Sequence, residues 1–295
     1  MYSNYGKVYK KQDLYDYNTY KIHSICDYLI IVDNVIKLTN LIKYLKDNNK
    51  KYFILGNGSN IILPDHYKGV VIKPEFNELT IDKNKIISGS SNLLINLSKE
   101  AINHNLTGLE WASGIPGSLG ASIIGNAGAY KDEISNYITE LEVLENNKVK
   151  IIKKNDLSFS YRCSNLKTRD IIILKATLTL KPGTKEESIN LVKERLEKRL
   201  ATQPLEYPSA GSVFRNPEGL FAGKLIEDLG LKGYQIGGAQ ISTKHANFII
   251  NIGNATSKDI KSLIKHITKE VKKHYNIDLI LEQQIINEAH KCFFY

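Results

Sequence analysis

Three segments of the chain set a reactive side chain among small or apolar neighbours. In Phe159-Ser160-Tyr161-Arg162-Cys163-Ser164, Arg162 stands between aromatic and small residues. Its guanidinium is always charged and carries forked donors, so it suits a carboxylate or the charge of an enolate. A surface arginine with an aspartate or phosphate partner would have the same local sequence. Ser212 follows Gly211 in Pro208-Ser209-Ala210-Gly211-Ser212-Val213-Phe214-Arg215-Asn216-Pro217, where little blocks its hydroxyl. No GxSxG elbow surrounds it, so Ser–His–Asp hydrolysis is poorly supported, and a plain turn serine is the competing reading. Glu282 ends the run Leu279-Ile280-Leu281. Apolar neighbours should raise its pKa and fit it to act as an acid or hydrogen-bond donor; a strand-edge glutamate facing water fits the same residues. His245, in Lys244-His245-Ala246-Asn247, reads first as a structural histidine.

Two kinds of glycine-rich loop accompany these residues. Gly56-Asn57-Gly58-Ser59-Asn60 follows a short apolar run. Its small residues let backbone N–H groups approach a diphosphate, and a simple turn between strands is the alternative. It is neither GxGxxG nor a Walker loop, so a Rossmann cofactor site is not supported. Ser113-Gly114-Ile115-Pro116-Gly117-Ser118-Leu119-Gly120 and Asn126-Ala127-Gly128-Ala129-Tyr130 lie close together. So little side-chain bulk leaves room for a flat, polyanionic cofactor, or for tight turns packed on one another.

The elements that must position these groups follow from periodicity. Leu38, Leu41, Ile42 and Leu45 predict an amphipathic helix over 34–48, and 92–104 reads as a second with Asn92 as cap. Phe53-Ile54-Leu55, Val70-Val71-Ile72 and Ile81 with Ile86-Ile87 read as strands, and 139–152 as a hairpin turning at Asn146-Asn147. The strand 171–180 stops at Lys181-Pro182-Gly183. Beyond it, Thr184 with Glu187 and Thr256 with Asp259 are capping boxes. Ile189, Val192, Leu196 and Leu200 mark one helix; Ile260, Leu263, Ile264, Ile267 and Val271 mark another. A last strand covers about 277–286. No regular βαβ rhythm appears, so the class is α+β.

Composition narrows the field. The chain has 295 residues, 42% hydrophobic and 24% charged, which fits two or three packed subdomains. The net charge of +9 comes without a basic block, so it reads as solvated lysines whose diffuse field could draw in a diphosphate. Cys26, Cys163 and Cys292 are widely spaced and form no disulfide framework or zinc pattern; no metal is expected. The start, MYSNYGKVYKKQ, has no apolar core of signal type, and no run approaches the ~20 residues of a membrane span. A cytoplasmic protein without membrane partner is the expectation. Residues 1–17 read as a poorly anchored arm.

Taken in order, GNGSN at 56–60, SGIPGSLG at 113–120, NAGAY at 126–130, YRCS at 161–164, PSAGSVFRNP at 208–217, AGKLIEDLGLKG at 222–233, IGGAQISTKHANF at 236–248 and LILEQQI at 279–285 resemble the UDP-N-acetylenolpyruvoylglucosamine reductases. The resemblance spans about residues 18–282 and is closest to the shorter subtype, which lacks an extra substrate loop. It implies an α+β chain with an FAD-binding fold of the vanillyl-alcohol-oxidase type over 18–183, in two subdomains of about 18–68 and 69–183. A smaller α+β substrate domain over 184–295 would follow, its final strand returning toward the flavin. It also implies non-covalent FAD, cradled by Gly56 to Asn60 and Ser113 to Ser118 (Ser113, Gly114, Ile115, Pro116, Gly117, Ser118), with Asn126, Ala127, Gly128 and Ala129 along the flavin.

The implied reaction passes a hydride from NADPH to FAD, and from FAD to the enolpyruvyl group of a UDP-sugar. Arg162 and Glu282 would steady the developing charge, and Ser212 would protonate the α-carbon. Tyr161, Arg215, Asn216, Lys224, Gln240 and His245 would contact the substrate. The resemblance implies a monomer acting on small molecules, with no nucleic-acid partner. Three positions depart from the family pattern: His23-Ser24 replaces Gly-Gly, Ala121 replaces a common Gly, and Asn287 replaces a Gly. The first adds side chains on the expected adenine side, either weakening FAD binding or reshaping a loop. The alternatives are another FAD oxidoreductase of this fold, with His23 as a covalent tether, or a degenerate binding protein without chemistry.

Overall fold

The computed structural model describes residues 2–287, so Cys292 and the end of the 184–295 region lie outside the described residues. A four-stranded sheet opens the chain, in the order Lys7–Asp13, Ile25–Val32, His66–Pro74, Tyr52–Ile54; the first pairing is antiparallel and the others parallel. Helix α1, Val35–Asp47, connects two of these strands, with Asn34 as N-cap accepting from the N–H groups of Ile36 and Lys37. Strand alternation sends successive side chains to opposite faces. Ile30, Ile54, Val70 and Ile72 share a core with Leu38, Leu41, Ile42 and Leu45 of α1. Leu29, Phe53 and Val71 face the other way and share a second core with the C-terminal region. One sheet thus fixes both halves of the molecule against each other.

The second sheet is antiparallel, in the order Lys148–Lys153, Ile138–Glu145, Ile171–Thr179, Lys85–Gly89, Leu79–Asp82. Its first hairpin turns at Asn146 and Asn147, both left-handed at φ 51° and 61°, the backbone that a two-residue turn of matching twist requires. Helices α2, Leu94–Asn103, and α3, Leu119–Gly125, complete this half. Helix α4, Lys185–Thr202, packs back on α2 and the 110–112 turn, and the rest of the C-terminal region carries α5, Ala222–Asp228, and α6, Ser257–Tyr275, with a three-stranded sheet of Gln235–Ile236, Ala239–Ile241 and Ile249–Asn251.

Several expectations are corrected. The strand His66–Pro74 crosses the expected division at 68, so the first sheet runs to Pro74. Residues 7–13 are a paired strand and Tyr2 is buried, so the N-terminus is anchored rather than a loose arm. The cap of α2 is Leu93, without a side-chain bond, while Asn92 donates instead to Ser88 Oγ and Glu78 O. At α4 the Glu187 carboxylate accepts a hydrogen bond from the Thr184 hydroxyl rather than from the Thr184 backbone N–H, so the box is half formed. Ile189, Leu196 and Leu200, which mark that helix in the sequence, are exposed. The last strand shrinks to Gln284–Ile285, paired in parallel with Ile61–Ile62 of the N-terminal half.

The expected residues of α6 are all buried, and Thr256 and Asp259 form the full reciprocal box. Thr256→Ala removes the bond to the Asp259 N–H. It should destabilise the chain by about 1 kcal/mol, read as a lowered urea midpoint with the slope unchanged.

Candidate active site

The three residues with candidate chemistry meet where the two halves join. Phe159–Ser160 and Cys163–Ser164 form a short hairpin whose turn holds Arg162 in left-handed backbone, φ 54°. Lys167 Nζ donates to Arg162 O at 2.9 Å and steadies that turn. Arg162 Nη2 donates to Gly128 O at 2.6 Å, and Nε meets Glu282 Oε1 at 3.1 Å. Glu282 is held from two sides. Its N–H donates to Val213 O at 2.9 Å, and its carbonyl accepts from Asn60 Nδ2 at 3.1 Å. Ser212 bridges to Phe248 on one side, while Phe214 bridges to Leu281. Beneath them Gln283 is buried, donating to Ala210 O and Gly211 O and accepting from Tyr20 Oη.

Burial sets the electrostatics. Desolvation raises the Glu282 carboxyl above its usual range, against the downward pull of Arg162, Arg215 and Lys167. Desolvation lowers the Lys167 ammonium, with Arg215 adding repulsion. Loss of solvation also lowers His245, whose Nδ1 accepts from the Asn247 N–H and so leaves the proton on Nε2.

Two cavities flank this trio. The first, about 570 Å³, is lined by the Gly114–Gly117 and Ala127–Ala129 loops, Ser59, Asn60 and the 207–212 segment. The second, also about 570 Å³, is lined by Tyr161, Asn216, Lys224, Lys244 and His245 among others. The residues common to both are Arg162, Ser212 and Glu282. They form the partition between a space walled by small-residue loops and a space walled by cationic and polar side chains.

The first cavity fits a flat polyanion. A side chain at Gly117 would meet Ser122 Oγ at 2.7 Å, and Gly125 faces open space. A narrow notch behind it is lined by Gly56, Asn57, Lys73, Ser90 and Ser118, and the buried hydroxyls of Ser90 and Ser118 have no protein partner. Buried polar atoms without partners are rare, and these are placed to be completed by a ligand against the loop amides. Such a set fits the FAD that the sequence implies.

The remaining expected residues divide. Gly58, Ser113 and Asn126 line neither cavity. The N–H of Thr19 docks on Gly58 O at 3.1 Å, Ser113 Oγ donates to Glu110 O, and buried Asn126 donates to Ser160 O. Arg215 lines neither, yet its buried Nε has no partner and it acts electrostatically on Glu282. Gln240 sits in a strand away from both cavities. His23 and Ser24 also stay clear of them: His23 pairs with Asp13 at 2.6 Å, stacks on Tyr15 and lines a separate cavity. That third cavity adjoins the loop-lined one at Tyr207 and Pro208, which line both. Lys167, Arg199, Gln203 and Gln283 line or support the site without having been singled out. The first three come from segments with no local signal, and Gln283 had only its place beside Glu282. Among the described residues no cluster could hold a metal, and no helix is long and apolar enough to cross a membrane.

Comparison with known proteins agrees with this arrangement. Residues 203–286 match the model of the UDP-N-acetylenolpyruvoylglucosamine reductase C-terminal domain, and 26–152 that of an FAD binding domain. A UDP-N-acetylenolpyruvoylglucosamine reductase of Caldanaerobacter subterraneus subsp. tengcongensis is 42% identical over 286 residues, 96% of this chain and 95% of its own. One from Clostridium beijerinckii is 45% identical over 272 residues, covering 91% and 90%. The crystal structure of the reductase from Thermus caldophilus superposes with a TM-score of 0.82 at 32% identity, covering 95% of this chain and 98% of that one.

Proposed function

Because the chain belongs to the UDP-N-acetylenolpyruvoylglucosamine reductase family, we propose that it reduces UDP-N-acetylglucosamine enolpyruvate to UDP-N-acetylmuramate for peptidoglycan synthesis, using NADPH and non-covalent FAD. The observation that carries this reading is the shared partition: Arg162, Ser212 and Glu282 face both the loop-lined cavity and the cationic one. The loops of 56–60, 113–118 and 126–129 would hold FAD, with the hydroxyls of Ser90 and Ser118 completing its polar contacts. When bound, FAD would supply the hydride-transfer chemistry that links NADPH to the β-carbon of the enolpyruvyl group.

The chain's own residues do the rest. Charge that develops on the α-carbon and carboxylate faces the Arg162 guanidinium, already oriented by Gly128 O and Glu282. Glu282, kept protonated to higher pH by its burial, donates a hydrogen bond there instead of repelling the substrate carboxylate. Ser212 gives its proton to the α-carbon, and the cations Arg162 and Lys167 favour the alkoxide it leaves. Tyr161, Asn216, Lys224 and His245 would receive the UDP-sugar, and Arg215 would act through its charge on Glu282. We assign most of the FAD site to the region before Gly183 and most of the substrate site to the region after it, with Tyr161 and Arg162 reaching the substrate side from the first and Arg199, Gln203 and the 207–212 segment lining the loop-lined cavity from the second. The reading includes a cytoplasmic monomer acting on small molecules.

An anaerobic cuvette tests the whole reading. The flavin spectrum should bleach with NADPH and return on adding the enolpyruvyl sugar nucleotide. A protein that binds no FAD, or whose bleached flavin ignores the sugar nucleotide, contradicts it. Acid precipitation should release all flavin to the supernatant; colour held in the pellet would favour a covalent tether and a different oxidoreductase.

Glu282 offers a pH test with a definite sign. A raised carboxyl pKa means that the protonated form, present at low pH, is lost as pH rises through that pKa. The rate of flavin reoxidation by substrate should therefore fall on the alkaline side of the Glu282 pKa. Glu282→Gln keeps a neutral donor that does not titrate and should flatten that limb, whereas Glu282→Leu has no donor and should lower the rate about 10²-fold. Full wild-type turnover in Glu282→Leu would remove Glu282 from the mechanism.

A further inference from the structure

Helix α4 lies outside the segments that carry the family resemblance, yet it sends two side chains into the loop-lined cavity, Arg199 and Gln203. Arg199 lies in the last turn of α4, and Gln203 is its C-cap in extended backbone, φ −119° and ψ 146°. Both carry an unmet hydrogen-bonding atom: Arg199 Nε, a donor, and Gln203 Oε1, an acceptor, are buried without partners. The Arg199 side chain makes no ion pair or hydrogen bond with any described residue. Burial lowers its pKa, with only Tyr130 acting in the opposite sense.

Arg199 is half-buried and its Nε fully so, and leaving a buried donor unpaired is costly. The neighbouring loop is shaped around this guanidinium. A side chain at Gly114 would lie 2.8 Å from Arg199 Nε and 2.9 Å from Cδ, so the guanidinium packs directly against the bare backbone of this glycine. Gln203 is fixed at the helix end, where its N–H donates to Arg199 O at 2.8 Å. Tyr130 Oη donates to Arg195 O, and the Arg195 guanidinium lies over the Tyr130 ring at 4.7 Å, which anchors α4 to the 126–130 loop.

A donor and an acceptor side by side, beside small-residue loops, complement a planar ring edge that presents C=O next to N–H. We infer that Arg199 and Gln203 read the imide edge of the bound isoalloxazine, Arg199 donating to a ring carbonyl and Gln203 accepting from the ring N3–H. This assignment rests on the FAD reading above. Uracil carries the same edge, so the UDP-sugar is the competing source of that chemistry. The cavity decides for the flavin: Arg199 and Gln203 line the space of the glycine loops and not the one holding Lys224 and His245.

The test uses full-length protein stripped of flavin and titrated with FAD or with its N3-methyl analogue, which lacks the N3–H. Wild type should bind FAD roughly ten-fold more tightly than the analogue, the scale of one buried hydrogen bond with its orphaned partner. Gln203→Leu should weaken FAD and erase that preference. Arg199→Met should weaken both flavins, shift the visible absorption of the bound flavin and leave the preference intact. Equal binding of the two flavins by wild type overturns the inference, and that measurement needs no variant to fold. Variants that bind FAD like wild type but raise the KM for the enolpyruvyl sugar nucleotide overturn it in favour of uracil. Wild type that binds neither flavin overturns the FAD reading itself, so the two failures are distinct.

Discussion

Ser212→Ala should leave NADPH bleaching of the flavin nearly unchanged and slow its reoxidation by the enolpyruvyl sugar nucleotide by about 10²- to 10⁴-fold, the range of a positioned general acid. The asymmetry follows from where Ser212 lies. Its hydroxyl sits on the partition between the two cavities, while the NADPH half-reaction transfers a hydride and needs no proton from this side chain. Removing one oxygen at a half-buried position next to Gly211 leaves the backbone unstrained. Gly211 keeps its left-handed φ of 73°, and Gln283 still holds the carbonyls of Ala210 and Gly211. Stopped-flow measurement of each half-reaction separates the outcomes. Equal loss in both would mean that Ser212 shapes the cavity rather than supplying a proton.

Gly58→Ala should release FAD. Gly58 has φ 65°, and an added Cβ would lie 2.1 Å from Tyr17 O and 2.9 Å from Asn18 Cα. Left-handed backbone alone costs a non-glycine residue about 1–2 kcal/mol, and the collision is with backbone that cannot rotate away. Asn18 locks that backbone by donating to Leu14 O and Ile22 O and accepting from the Ile22 N–H. The 56–60 loop must therefore move off Thr19, taking its amides out of place. FAD affinity should fall by more than ten-fold, measured by quenching of flavin fluorescence. Gly219→Ala is the matched control, since Gly219 has φ 70° but nothing within 4 Å of the added carbon. It should bind FAD as wild type does. If Gly58→Ala also binds like wild type, the loop does not depend on this contact.

Much of the fold was legible because its signals are local. The burial pattern of α1 and α6, the Asn146-Asn147 turn and the Thr256–Asp259 box depend on residues within a few positions of each other. Where reading went astray, a tertiary contact had overridden the local pattern. Leu196 and Leu200 have helical spacing, but α4 turns Ser188, Arg199 and Gln203 inward to meet Glu110 and the cavity, so its apolar side faces out. Residues 7–13 offered no strong period, and they became a strand because Ile25–Val32 presents an open edge to pair with.

The same division holds for the site. By itself, the sequence determined that Arg162, Ser212 and Glu282 have the chemistry for proton and charge handling. It also determined that the glycine loops have backbone free to meet an anion, because residue type and flanking bulk are properties of a few consecutive positions. Only the tertiary structure decided that these three residues form one wall between two cavities, that burial raises Glu282, and that Lys167 and Arg215 bear on it. It also decided that Arg199 and Gln203 line the cavity of the glycine loops, while His23 and Gln240 line neither of the two cavities that share Arg162, Ser212 and Glu282. Those outcomes depend on desolvation and on distances between groups far apart in the chain, such as Arg162 and Glu282, 120 residues apart, or Asn60 and Glu282, 222 apart. Distances of that kind are set by the packing of two cores on opposite faces of one sheet.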